Sequence, residues 1–113
     1  MSVQFNGPAK APRPAANYRN LAIVPPGQRV LIISGQIGNG KDGGIIEGLE
    51  AQYEQALTNI NAIVAFEGGT SVDIAKITIF LKEEPTERSL IREANQKHFP
   101  NGSPAMSWIR VAG

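Results

Sequence analysis

Between Leu49 and Lys82 the apolar residues change their period, and that change confines the chain to folds that mix helix with strand. Leu49, Tyr53, Ala56, Leu57, Ile60, Ile63 and Val64 recur at steps of three and four, which is one apolar stripe along a helix. Gly68 and Gly69 follow and stop it, because glycine supplies the left-handed backbone at a helix C-terminus. In "AKITIFLK" the step falls to two. Ile77, Ile79 and Leu81 alternate with Lys76, Thr78, Phe80 and Lys82, as in a half-buried strand, with Phe80 interrupting the polar side.

The same reading extends to both ends. Pro85 and Thr86 open a second helix, with Thr86 as its N-cap and Leu90, Ile91, Ala94 and His98 on one face. After "FPNGSPA", the segment "MSWIRVA" alternates again, Ile109 and Val111 against Met106, Trp108 and Arg110. Upstream, Leu21 to Val24 and Arg29 to Ile33 flank "PPGQ", the chemistry of a hairpin. Residues 1–17, with Pro8, Pro12 and Pro14, predict an extended arm. The order β-β-α-β-α-β indicates an α+β fold with two helices on one side of a sheet. The other side, carrying Phe80, Met106 and Trp108, then lacks a cover, and identical copies are the simplest way to supply one.

A chain of 113 residues is the size of one domain, 1–113. Its 42% apolar and 19% charged residues are those of an ordinary globular protein. With no cysteine and one histidine, disulfides, thiol catalysis and Cys/His zinc sites are excluded within one chain, and no metal or cofactor is expected. His98 ends a predicted helix, where a cation meets the dipole favourably, which is explanation enough for it. Net charge is only +1, and although Lys10, Arg13, Arg19, Arg29 and Lys41 precede the first acidic residue, few aromatics lie among them. Nucleic acid is therefore disfavoured as a partner. No apolar run approaches about 20 residues and no signal-peptide pattern opens the chain, so no membrane partner and a cytoplasmic location are expected.

"LIISGQIGNGKDGG" places Gly35, Gly40 and Lys41 at the spacing of a phosphate-binding loop that follows a strand. The next residue in that motif is a hydroxyl that ligates magnesium and starts a helix. Here it is Asp42, a negative charge, followed by Gly43 and Gly44. The stretch reads as an exposed turn instead.

"NYRNLAIVPPGQRVLIISGQIG", "GLEAQYEQALTNINAIV", "DIAKITIFLK" and "HFPNGSPAMSWIRVA" resemble the successive blocks of the Rid/YjgF family, the reactive intermediate imine deaminases, also labelled endoribonuclease L-PSP or translation inhibitors. The resemblance covers Asn17 to Ala112. It implies a chorismate-mutase-like (YjgF-like) mixed sheet covered by two helices on one face, a homotrimer with a central barrel, and ligand clefts between subunits. In active members a strand arginine grips the carboxylate of a 2-imino acid while water attacks the imine carbon and ammonia leaves, a task suited to the guanidinium fork. The family's "PARS"-type segment is "PAMS" here, so the arginine position is Met106. The family's further strand, bearing a glutamate that positions the water, has no counterpart before Gly113.

The ligand-binding positions that the resemblance carries over are Tyr18, Ser34, Gly35, Met106 and Trp108, with Arg92 near the cleft by alignment. No catalytic residue is assigned. The resulting reading is a homotrimer that binds a small-molecule metabolite in intersubunit clefts, with 2-imino acid deamination in question. One alternative is an imine or enamine deaminase, a hydrolase, acting on a different substrate. Another is an RNA-directed ribonuclease or translation inhibitor.

Overall fold

The helical stripe becomes α1, Leu49–Phe66, in the computed structural model, which describes residues 3–5 and 18–112. Its stop is the one expected: the Gly68 and Gly69 amides donate to the carbonyls of Ala65 and Val64, and Gly68 takes φ 82°. A 3₁₀ turn, Ser71–Asp73, leads into β1, Lys76–Leu81. Helix α2, Arg88–His98, then carries the chain to β2, Ala105–Arg110, which pairs with β1 in parallel. A parallel pair needs a crossover, and α2 supplies it.

The core lies between the helices and this pair. Tyr53 and Leu57 of α1, Ile77 of β1, Ile91 and Ala94 of α2 and Phe99 are buried together, with Leu49, Ile74, Ile79 and Met106 packed against them. Burying a large apolar side chain contributes about 1.5–3 kcal/mol, so this cluster holds most of the fold's stabilisation.

Four expectations change. Ile77 pairs with Met106, Ile79 with Trp108 and Phe80 with Ile109. Parallel partners point to the same side, so Met106 and Trp108 belong to the helix-covered face and not beside Phe80. The uncovered face instead carries Phe80, Ile109 and Val111, all exposed. Register decided this, and one strand's alternation cannot reveal its register.

The hairpin between 21–24 and 29–33 is also absent. Ile23 exchanges its N–H and C=O with Gln4, and Pro25 and Pro26 offer no donor, so 28–36 runs past without pairing. Of the expected mixed sheet, two parallel strands form among the described residues. Thr86 is not an N-cap: α2 begins at Arg88, and Thr86 gives its N–H and hydroxyl to Glu50 of α1. His98 keeps its expected place in the last turn of α2, and its side chain is only 9% exposed. The extended arm expected over 1–17 lies outside the described residues save 3–5, where Phe5 sits under the Arg19 guanidinium at 5.1 Å.

Candidate functional site

A cleft of about 1180 Å³ separates residues 28–38 from β1 and α1. Its floor is the α1 stripe, with Tyr53, Leu57, Ile60 and Val64 at helical spacing. One wall is β1 and the other is the extended segment that includes Ser34 and Gly35. Around Gly35 the space is open, since nothing approaches an added Cβ within 4 Å.

Gly38 shows the opposite. A Cβ there would meet the Gln52 Cα at 2.4 Å, so only glycine lets the segment lie against α1. Asn59 secures the same end by donating to the carbonyls of Ile37 and Asn39, at 3.3 and 3.0 Å. At the other end the Arg29 guanidinium reaches Glu67 at 3.5 Å. Beyond Gly38 the "NGKDGG" loop is the turn the sequence predicts. Asp42 Oδ1 accepts from the Gly44 amide at 2.9 Å, Asn39 bridges Ile45, and Lys41 is exposed.

Tyr53 links three elements beneath the cleft. Its hydroxyl donates to Asn95 of α2 at 2.5 Å, and its ring meets Trp108 of β2 with centroids 5.2 Å apart. Burial pushes the phenol's pKa up, so it remains a donor. Helical periodicity places Tyr53 on the apolar stripe and names no partner for its hydroxyl. A buried phenol requires one, and that was the available signal.

Two carboxylates join the helices. Glu50 accepts from the amides of Glu87 and Thr86 at 3.0 Å, and those bonds, the Glu87 amide foremost, hold its pKa below the usual value. Glu54 takes Lys97 at 2.7 Å and His98 Nε2 at 2.9 Å, which likewise lower its pKa, Lys97 most. With the Asn61 amide nitrogen 3.0 Å from Nδ1, both nitrogens of the imidazole are engaged, and His98 acts as a strut between α1 and α2. Among the described residues, no group of three or more metal-ligating side chains gathers.

The carried-over positions separate within one chain. Ser34 and Gly35 line the cleft, whereas Tyr18, Arg92, Met106 and Trp108 do not. Tyr18 precedes Arg19, which bridges Ala105 at the start of β2, so Tyr18 lies near Met106 in the chain's course. Arg92 is exposed on α2. Met106 packs into the core and Trp108 covers Tyr53.

A family model described as Endoribonuclease L-PSP matches residues 8–113. The chain is 29% identical over 106 residues to the 2-iminobutanoate/2-iminopropanoate deaminase of Bos taurus, covering 92% of this chain and 74% of the bovine protein. It is 31% identical over 104 residues to a RutC family protein of Pyrococcus horikoshii, covering 90% and 79%. The Rid family protein YyfB of Yersinia pestis, of unknown function, superposes with a TM-score of 0.83 at 21% identity, over 100% of this chain and 88% of that one. RidA of the Antarctic bacterium Psychrobacter sp. superposes at 0.65 with 27% identity, over 97% and 87%.

Proposed function

We propose, for a chain that belongs to the endoribonuclease L-PSP (Rid/YjgF) family, a cytoplasmic homotrimer that binds a small metabolite in clefts between subunits and hydrolyses 2-imino acids poorly. The observation that carries the second half is Met106. At the position where the resemblance implies an arginine, an apolar thioether packs against the chain's own core. A thioether offers no donor to a carboxylate, and the lost charge-assisted bond is worth about 1.5–3 kcal/mol. Arg110, the nearest guanidinium along β2, lies 3.8 Å from Glu84 and on the same strand face as Met106. The trimer reading is supported by the uncovered face of Phe80, Ile109 and Val111, an apolar patch that a second copy would cover. Tyr18, Ser34, Gly35, Arg92, Met106 and Trp108 are the positions proposed to face the ligand, some from one subunit and some from its neighbour.

A second reading keeps the imine hydrolysis that the deaminase among the relatives is named for, and Met106, which offers a carboxylate no donor, directs it to an imine or enamine without a carboxylate. The RNA reading has the family's description in its favour and the net charge of +1 against it. The test measures keto acid formed from a 2-imino acid generated in situ. Wild type should barely exceed the uncatalysed rate, and Met106→Arg should gain about ten- to a hundredfold. Rapid turnover by wild type would end the proposal and point to Arg92 or Arg110 as the gripping cation. Turnover only of an uncharged imine would establish the second reading.

A further inference from the structure

We propose that a second cavity, beside the segments that lead into β1 and β2, is a binding site for one small monocarboxylate with an apolar body. Its volume is about 310 Å³, at the lower end of the roughly 300–1,000 Å³ of small-molecule pockets. Val3, Phe5, Val72, Phe99 and Pro104 make its walls apolar, and Arg19 is the one charged residue among those that line it.

The Arg19 guanidinium is held in place but not neutralised. Nη2 donates to the Asn101 carbonyl at 2.6 Å, and the Phe5 ring centroid lies 5.1 Å from Cζ. Gly102, at φ 104°, comes up against the same group, and a Cβ there would run into Nη2. An aromatic ring takes the face of a guanidinium and leaves its in-plane N–H groups free to donate, and a backbone carbonyl uses one of the five. Among the described residues no carboxylate pairs with Arg19, and no Asp or Glu precedes Asp42 in the sequence. A half-buried cation beside apolar walls and without a counter-charge favours an anion. Because its contacts already orient the guanidinium, an arriving anion need not order it.

The lining narrows the choice of anion. A carboxylate matches the guanidinium fork bidentately and carries the single charge that one arginine balances. A dianion such as phosphate would keep an uncompensated charge among apolar walls. A bare inorganic ion would leave Phe99 and Pro104 without apolar contacts, so the carboxylate should carry a ring or a branched chain. The cavity is also distinct from the metabolite positions proposed above. Arg19 bridges Ala105, and the side chains of Ala105 and Met106 leave β2 on opposite sides, so Arg19 does not replace the grip that Met106 lacks.

The probe is phenylacetate, titrated into the full chain and followed by amide chemical shifts. It should bind with a Kd of about 1 mM or below and move the amides of Ser71, Val72, Asn101 and Gly102, leaving those of Ser34 and Gly35 in place. Phenylacetamide has the same shape without the charge and should bind about ten- to a hundredfold more weakly. Arg19→Gln should weaken phenylacetate by a similar factor. Equal binding of the two ligands by the wild type, a comparison that needs no variant, would overturn the proposal. So would undiminished binding by Arg19→Gln, or no shift at about 10 mM phenylacetate. Shifts confined to Ser34 and Gly35 would also overturn it, by sending the carboxylate to the larger cleft.

Discussion

Residues 49–112 and residues 18–48 have similar shares of apolar side chains but opposite fates. In the first region Leu57 and Phe99 are each 2% exposed; in the second Ile32 is 94% exposed and Val30 74%. The difference is connectivity. α1 packs on α2 and β1 pairs with β2, each with a partner only one element away, so each closure stays short. The 28–36 segment has its ends fixed on α1 and its backbone facing a gap, so its β-branched residues have a strand's composition without a strand's partners.

The sharpest way to break this contrast is to truncate both sides equally. Leu57→Ala should cost about 2–5 kcal/mol in denaturant unfolding, and Ile32→Ala should remain within about 0.5 kcal/mol. Equal losses would mean that Ile32 is covered in the assembled protein and that the two regions are alike. Tyr53→Phe comes next. It leaves Asn95 Oδ1 without its donor and should cost about 1–3 kcal/mol, whereas a change below the measurement error would show that Asn95 finds another partner.

Acid should act on the first region alone. The folded-state pKa values of Glu50 and Glu54 are depressed below 4.5, so the stability they contribute is present above that value. It is lost as pH falls from 4.5 through the folded values. The urea midpoint should drop across that window, and the double variant Glu50→Gln with Glu54→Gln should flatten the drop. An unchanged slope would remove these carboxylates from the account. The smallest effect belongs to Arg29→Ala, whose pair with Glu67 is 73% and 42% exposed and should be worth between 0 and about 1 kcal/mol by the same unfolding measurement. A larger loss would mean that the 28–36 segment contributes to the global fold.

Where an element's own periodicity suffices, its reading from sequence stands. The stripe from Leu49 to Val64, the alternation of "KITIFL" and the turn at Asp42 are each encoded within a few residues, because helix, pleat and turn repeat locally. The candidate site was less legible. Ser34 and Gly35 reach the cleft, but Met106 and Trp108 share a face with Ile77 and Ile79 and not with Phe80. Nothing in "MSWIRVA" says whether Met106 lies beside Ile77 or beside Phe80, since either register preserves the alternation. The Glu50 contacts at Thr86 and Glu87 and the Glu54 contact at His98 were equally hidden, joining residues some 36 to 44 positions apart. By itself the sequence determined α1, β1, α2 and β2, their order and the apolar face of α1. The tertiary structure decided which face of the sheet each strand residue shares and which edges go unpaired, because pairing partners are selected by contacts between distant segments that no local period records.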